Sequence, residues 1–460
     1  MRALRIVKLI LLATMFCLAI TGCDLTESEP ESTPAPAPPA AAPAPAPEPA
    51  PPPAEEPAEP LPRLPLITPP APTPTPEPAP ALGPVKIGSL MDLTGELGEF
   101  GGPMDQAVRL AAEHVNAAGG VLDGRMIEIL TEDGATSDVI SVDAARKLVN
   151  VEGVSALVGP LSSGITLAIA NAVTVPNQVP QISPSATAPS LTLLEDDDFV
   201  FRTAPSDAFQ GVVLADLAWE LGYRNAAVLF INNAYGQGLA DQFEESFAAL
   251  GGQVTAVAHE SGQPSYASEL AQATANGPDV LIAVSYPVSA GVYIREAIDS
   301  GAADTFLFVD GSRSEDLISA VGAEDLEGAY GTAPGAVDNE GTQRFDAEFA
   351  AFAPDAGGIF LRESYDAAIL FALAVEAAGS DDPVAIRDAL REVSGGSGEE
   401  IGPGSAEIAR ALELLRDGQE INYQGASGPV DLDANGDVSG AMEIWKIENG
   451  QIVSERVISE

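Results

Sequence analysis

The sequence predicts an α/β protein made of two doubly wound lobes of parallel strands that are joined by a hinge. Two observations lead to this prediction. Short apolar runs alternate with segments of helical spacing from residue 85 onward, and the alternation starts again after Asp207. The length agrees with it, because 460 residues correspond to two or three domains with a large core.

The first alternating set begins at Val85. Strands are expected at 85–91, 126–130, 154–158 and 179–182, and helices at 103–116, 137–149 and 164–173. The first helix ends at Gly119-Gly120, and the second can begin at Ser137, a residue type that caps helices. This order is typical of a parallel sheet that carries helices on both faces.

The second set follows Asp207. Helices are expected at 208–221, 237–250, 267–275 and 289–300, and strands at 226–231, 254–258, 280–284 and 305–309. After Pro334 the chain is mainly helical, at 342–352, 364–378, 384–393 and 406–416. Two strand-like runs, 442–447 and 452–458, close the chain around Glu448-Asn449-Gly450, a hairpin signal. We expect one lobe at 85–206 and 335–436, and the other at 207–334 and 437–460.

Residues 1–23 have the pattern of a lipoprotein signal peptide. Three basic residues precede an apolar run over 9–20, which is shorter than a membrane-spanning helix and typical of a secretory signal. The run ends in I-T-G-C at 20–23, which resembles the bacterial lipobox. That resemblance implies acylation of Cys23 and a lipid anchor on the outer side of the cytoplasmic membrane, in the periplasm or at the cell surface. The alternative is an ordinary signal peptide with an incidental cysteine.

Residues 24–84 are predicted to form a disordered Pro/Ala-rich linker. They hold 24 of the 39 prolines and no aromatic residue, so they cannot bury a core. An extended polyproline chain of this length reaches on the order of 190 Å at about 3.1 Å per residue. We expect a tether that lifts a domain off the membrane; a proline-rich ligand for another protein's recognition domain is the alternative.

The composition excludes several classes of function. A formal net charge of -47 leaves no basic footprint for nucleic acid. Both cysteines, Cys17 and Cys23, lie in the signal segment, which excludes a thiolate site from the rest of the chain. Only two histidines, His114 and His259, are present, and G-x-S-x-G is absent. We therefore expect no metal, no cofactor and no enzymatic activity.

Polar residues follow the predicted strands, where open α/β sheets bind ligands. Ser163 opens a predicted helix, whose free N–H groups and hydroxyl suit a carboxylate. Asp310 follows a strand of the second set, together with Tyr235 and Tyr286, and offers an acceptor for an ammonium group. Donors on one side and an acid on the other match a zwitterion. Each residue could instead serve as a cap, a turn residue or rim packing.

Six stretches in order make the chain similar to type I periplasmic binding proteins, specifically the leucine/isoleucine/valine-binding proteins of ABC transporters. They are VKIGSLMDLTG, HVNAAGGVLDGR, VGPLSSG, ISPSATAP, AYGQG and ASGPVDLDANGD. The resemblance covers nearly all of 85–460. It implies the type I periplasmic binding protein fold in a monomeric lipoprotein that captures a small amino acid, branched-chain or similar, and delivers it to a permease. The alternative is a sensor of the same fold that binds amides, urea or aromatic acids.

The resemblance also implies the site residues. Ser163 and Thr187 would hold the α-carboxylate, and the Ser185 carbonyl, the Thr187 hydroxyl and Asp310 would hold the α-ammonium. Aromatic walls match Phe100, Tyr235, Tyr286 and Phe360, and Leu161 and Ser162 match the side-chain pocket. Asp310 is one methylene shorter than the glutamate that is frequent in the family, and Phe100 replaces a frequent tyrosine.

One segment resembles the start of a calcium loop, the acidic run at 431–437. Such a loop needs a bidentate glutamate at its twelfth position, where Met442 stands here. We expect a hairpin turn at Asn435-Gly436 instead.

Overall fold

The protein is described by a computed structural model that covers residues 83–460. The predicted signal peptide and almost all of the predicted linker lie outside the described residues. Within 83–460, no helix combines the length and the apolar character that crossing a membrane requires.

The first lobe contains a five-stranded parallel sheet in the order β2-β1-β3-β4-β5. Its strands are β1 Val85–Met91, β2 Ile127–Asp133, β3 Ala156–Val158, β4 Gln181–Ser183 and β5 Val200–Arg202. Helices α1 Gly98–Ala117, α2 Asp138–Lys147 and α3 Ser163–Ile169 connect them. The four predicted strands and three predicted helices are present, and the two shorter helices each continue into a π-helical turn.

The second lobe contains a seven-stranded sheet in the order β14-β13-β10-β9-β8-β6-β7. Its strands are β6 Asn225–Ile231, β7 Gln253–His259, β8 Val280–Val284, β9 Phe306–Phe308, β10 Tyr330–Gly335, β13 Ala441–Glu448 and β14 Gln451–Ser459. Its helices are α4 Asp207–Glu220, α5 Ala234–Ala249, α6 Ala267–Ala273, α7 Pro287–Ser300, α8 Glu315–Val321 and α9 Ala323–Leu326. The predicted hairpin is confirmed, because β13 and β14 pair antiparallel with Glu448 opposite Gln451.

The chain returns to the first lobe between β10 and β13. Helices α10 Glu340–Phe352, α11 Leu361–Ala378, α12 Pro383–Ser394 and α13 Ser405–Arg416 lie there, with a small parallel pair of strands, β11 Glu399–Ile401 and β12 Ile421–Tyr423. Helix α11 packs along α1 and is buried over most of its length. Three connections therefore link the lobes. The division of the chain into lobes at 85–206 with 335–436 and at 207–334 with 437–460 remains a prediction.

Four strands were not predicted: β5, β10 and the short pair β11 and β12. β5 has only three residues, and it forms because β4 offers a parallel partner. β10 has the sequence Y-G-T-A-P-G, which is poor in strand-forming residues. It pairs with β9 on one side and with β13 on the other, so tertiary pairing decides its conformation.

The acidic run at 431–437 forms a turn but not the expected hairpin, because the residues directly before and after the turn, 430–433 and 437–440, do not form strands. The Asp433 carboxylate accepts hydrogen bonds from the backbone amides of Asn435 (2.7 Å) and Asp437 (2.9 Å). Gly436 has φ 77°, and a Cβ there would come 2.5 Å from the Val200 carbonyl oxygen. The turn therefore allows this loop to pack closely against β5.

Arg202 joins that loop to the first lobe. Its side chain is only 2% exposed and makes a bidentate ion pair with Asp437, at 2.7 and 2.8 Å. The same guanidinium donates to the backbone oxygens of Thr187 (2.9 Å) and Ala188 (3.0 Å). Arg202 therefore positions the segment after β4, which carries predicted site residues.

Asp437→Ala is expected to lower the free energy of unfolding by about 3–5 kcal/mol, because it leaves a buried guanidinium without its carboxylate. The loss is measured by urea denaturation at pH 7. Asp431→Ala removes an exposed acid from the same loop and is the matched control, with an expected change within about 0.5 kcal/mol. Equal losses in the two variants would contradict the role of the buried pair.

Candidate functional site

A cavity lies between the lobes, where strands of both sheets end. The space inside it that water molecules could occupy is about 30 Å³, which is room for a few waters at most. Its lining comes from both lobes: Leu97, Phe100, Leu161, Ser162, Ser163, Ser185, Tyr235, Tyr286, Asp310, Gly311, Ile359 and Phe360. Nine of the ten predicted ligand-binding residues are among them, and Thr187 is the exception.

The first lobe presents hydroxyl groups to the cavity. Ser163 is the first residue of α3, and its Oγ accepts a hydrogen bond from the Ala188 amide at 3.2 Å. Since a hydroxyl has one proton and two lone pairs, the Ser163 proton can still be donated to a ligand. The Ser185 hydroxyl donates to the Leu161 carbonyl at 3.2 Å, which holds the two segments of the lining together.

Thr187 lies behind the cavity wall. It is completely buried, and its hydroxyl donates to Oδ2 of Asp207 at 2.8 Å. The single proton of this hydroxyl is therefore engaged within the protein, and Thr187 does not line the cavity, so its hydroxyl is not placed to donate to a ligand carboxylate. The role that the sequence predicts for Thr187 in holding the ligand stays a prediction.

Asp310 provides the charge of the second lobe. It begins a short 3₁₀ turn after β9 and is 3% exposed. The Tyr235 hydroxyl (2.8 Å) and the Gln210 amide (2.9 Å) both donate to its Oδ1. Burial raises the pKa of Asp310 to about 6, although these two hydrogen bonds oppose the shift. Among residues 83–460, its side-chain partners are neutral groups, and a cation is not one of them.

A second buried acid lies next to this group. Asp207 opens α4 and is fully buried, and its Oδ1 has no hydrogen-bond partner among the described residues. Burial and the charge of Asp310 raise its pKa well above the usual range, while the Thr187 hydrogen bond and Arg202 oppose the shift. Sequence reasoning missed both Asp207 and Gln210. An acid at a helix start is common and is not a signal by itself. The one signal in the sequence is the three-residue spacing of Asp207 and Gln210, which places both on one face of the helix.

Aromatic rings form the walls. The rings of Tyr235 and Tyr286 stack with centroids 5.8 Å apart. The Tyr286 hydroxyl donates to Oγ of Ser162 at 3.0 Å, so it joins the two lobes across the cavity. Phe360 has φ 60°, a rare conformation for a bulky residue that marks a constrained position before α11.

Three lining residues were not predicted: Leu97, Ile359 and Gly311. Leu97 and Ile359 add apolar surface and carry no sequence signal of their own. Gly311 follows Asp310, and a Cβ there would come 2.7 Å from the Tyr235 hydroxyl. Only glycine therefore lets Tyr235 approach Asp310 so closely.

The cavity has the chemistry of a binding site. It combines hydroxyl donors, one buried carboxylate and apolar walls. His114 and His259 are buried elsewhere, His114 against Tyr365 and His259 against Tyr266 and Tyr293. Among residues 83–460, no group of three or more His, Cys, Asp or Glu side chains could hold a metal ion.

Comparisons with known proteins agree with this picture. The periplasmic binding protein family matches the chain over residues 84–409. A chemotactic signal transduction system substrate-binding protein, BasB of Halobacterium salinarum, is 31% identical over 359 residues, which cover 76% of this chain and 84% of that protein. The resemblance expected from the sequence is confirmed.

Solved structures share the fold. A leucine binding protein, LivK of Thermotoga maritima, superposes with a TM-score of 0.70 at 27% identity, over 82% of this chain and 99% of that one. A solute binding protein of an ABC transporter from R. palustris, in complex with benzoate, has a TM-score of 0.67 at 20% identity, over 82% and 98%. The second likeness concerns the fold alone. The predicted α/β fold class with two parallel-sheet lobes is confirmed.

Asp310→Asn is expected to stabilise the protein at pH 8 and to change its stability little at pH 4. Because the folded-state pKa is raised to about 6, above about 3.9 in an unfolded chain, the stability that protonated Asp310 contributes is present below about pH 4. It is lost as the pH rises through about 6. The neutral amide avoids this loss, and its oxygen can still accept from Tyr235 and Gln210.

Chemical denaturation at both pH values measures the effect, with an expected gain of about 1–3 kcal/mol at pH 8. Asp304→Asn is the control, because it removes an exposed acid just before β9. A gain of the same size at pH 4 and pH 8 would show that burial of the charge is not the cause.

Proposed function

The chain belongs to the periplasmic binding protein family, and on that basis we propose that it captures a small amino acid, branched-chain or similar, between its lobes and delivers it to an ABC transporter permease. Membership of the family implies an extracytoplasmic location, and the relatives are solute-binding proteins rather than enzymes. The observation that carries the proposal is the buried carboxylate of Asp310, which lines a cavity and, within residues 83–460, pairs only with neutral side chains.

A buried carboxylate requires a positive partner in order to stay ionised, because transfer of an unpaired charge out of water is costly. The α-ammonium of an amino acid supplies that partner. The Ser163 hydroxyl, on the opposite side of the cavity, can donate to the α-carboxylate. Nine of the ten site residues expected from the sequence line this cavity, which supports a zwitterionic ligand; Thr187 does not line it.

The rest of the lining favours an apolar side chain. Leu97, Phe100, Leu161, Ile359 and Phe360 offer hydrocarbon surface. The leucine binding protein from Thermotoga maritima, which shares the fold, supports this choice.

A sensor of amides, urea or aromatic acids is the second candidate. The chemotactic relative favours a sensor, and the structure solved with benzoate shows that a protein of this fold can bind an aromatic acid. Benzoate carries no positive charge, however, and would place its carboxylate in a cavity that already holds a buried acid. The charge of the ligand therefore separates the two candidates.

The membrane anchor is also a proposal. Acylated Cys23 and the linker at 24–84 would hold the binding lobes near a permease, as a monomer tethered to the membrane. Cys23 and all of the linker except residues 83–84 lie outside the described residues.

A thermal-shift screen of the full chain identifies the ligand. The twenty amino acids, benzoate, 4-hydroxybenzoate, acetamide and urea are added one at a time. We expect the largest rise in melting temperature with a branched-chain amino acid, because ligand at 100 times its dissociation constant adds about 2.7 kcal/mol of stability. A rise with benzoate and none with any amino acid would replace this proposal by the second candidate.

Asp310→Ala is expected to weaken binding of the best amino acid by roughly 30- to several-thousand-fold. Loss of one partner of a buried, hydrogen-bonded charge pair costs about 2–5 kcal/mol, at about 1.4 kcal/mol per tenfold. Isothermal titration calorimetry of the folded variant measures the loss. Asp304→Ala is the matched control and should bind normally. Near-normal affinity in Asp310→Ala would remove this residue from the site.

A further inference from the structure

The segment that leads from β1 into α1, residues 95–100, covers the cavity and also reaches the second lobe. Leu97, directly before α1, and Phe100, in its first turn, line the cavity. Glu96 and Glu99 lie beside them at the same three-residue spacing and contact serines of the second lobe. We call residues 95–100 the lid segment.

Glu96 docks at the N-terminus of α7. The Ser289 hydroxyl donates to its carboxylate, 2.7 Å from Oε1 and 2.9 Å from Oε2, and the Ser261 hydroxyl donates to Oε1 at 2.9 Å. Ser289 is the third residue of a 14-residue helix, and a carboxylate is stabilised at that end by the helix dipole.

Contacts within the second lobe hold the Ser289 side chain independently of Glu96. The buried Tyr266 hydroxyl donates to Oγ of Ser289 at 2.8 Å, and the Gly262 amide donates to the same oxygen at 3.2 Å. Both contacts lie within the second lobe, and Ser289 is itself buried. The hydroxyl proton is thereby directed toward Glu96, which lowers the entropy cost of the contact across the lobes.

Glu99 makes a second contact of the same kind. Its carboxylate accepts a hydrogen bond from the hydroxyl of Ser314, which also caps α8 by accepting from the Leu317 amide at 3.0 Å. Burial raises the pKa of Glu99, and the Ser314 hydrogen bond opposes the shift. The acids of the lid segment are therefore held by hydroxyl and amide groups, and within residues 83–460 neither forms an ion pair.

We propose that Glu96 and Glu99 form a two-point latch that holds the cleft closed and increases ligand affinity without touching the ligand. Each contact joins an acid of the first lobe to a serine of the second, so each exists only while the lobes are together. Interactions made only in the closed state shift the equilibrium toward it, and affinity rises with the closed fraction. The latch must break before a ligand leaves, so it acts mainly on the dissociation rate.

The first test measures closure by hydrogen exchange of the full chain, without ligand and with 10 mM L-leucine. In the double variant Glu96→Ala/Glu99→Ala, peptides that cover the lid segment and the start of α7 should exchange about 10-fold faster in at least one condition, because hydrogen bonds to charged groups are lost. Peptides from the buried strand β6 should not change. Glu113→Ala is the matched control, an exposed glutamate on the same helix.

The second test measures leucine kinetics by stopped flow and rests on the proposed function. The double variant should release leucine about 10-fold faster, with its association rate within about twofold of wild type. Glu96→Gln/Glu99→Gln keeps an acceptor oxygen and should recover part of the loss.

A double-mutant cycle tests the pairing itself. Ser289→Ala in the Glu96→Ala background should change exchange of the lid segment little, because the contact is already lost. Wild-type exchange of the lid segment in the Glu96→Ala/Glu99→Ala protein, both with and without leucine, would overturn the latch. A different outcome separates the latch from the proposed ligand. If the wild-type protein does not bind leucine but the double substitution still speeds exchange of the lid segment, the proposed ligand is contradicted and the latch is supported.

Discussion

The buried carboxylate of Asp310 is the constraint on which the arrangement of this protein depends. Two neutral donors share one of its oxygens, and a second acid, Asp207, is buried nearby and raises the cost of ionising both. A buried, ionised carboxylate destabilises the folded protein. It is tolerated only where the surrounding packing contributes enough stability to offset that cost. Here that packing is the apolar interior of the second sheet, whose strands β6 and β8 are almost entirely buried.

The opposite wall of the cavity is positioned by a different charge. Arg202 is buried but fully paired, and it connects β5, the backbone around Thr187 and Asp437 in the last connection between the lobes. The guanidinium supplies the planar, multidentate donors that this geometry needs. The same ion pair therefore stabilises the first lobe and places the segment that carries Ser185 and Thr187, so folding and site geometry are coupled there.

Closure involves three layers of contact between the lobes. In the cavity wall, Tyr286 bonds to Ser162. At the cavity itself, donors of one lobe face the acid of the other. At the mouth, the lid segment places apolar residues inward and acids outward onto helix starts of the second lobe. We therefore expect that ligand selectivity and the stability of the closed cleft can be changed separately, because the cavity residues would determine the first and the acids of the lid segment the second.

The sequence by itself determined the alternation of strands and helices, the closing hairpin and the positions of Ser163 and Asp310. These follow from local periodicity and from the rule that parallel strands end at one edge of a sheet. Tertiary structure alone decided that β5 and β10 are strands, that the acidic run at 431–437 is not a hairpin, and that the Thr187 proton goes to Asp207. It also decided the contact between Glu96 and Ser289, which are 193 residues apart. The physical reason is that these features depend on partners distant in sequence, and neither spacing nor propensity encodes which hydroxyl will meet which acid.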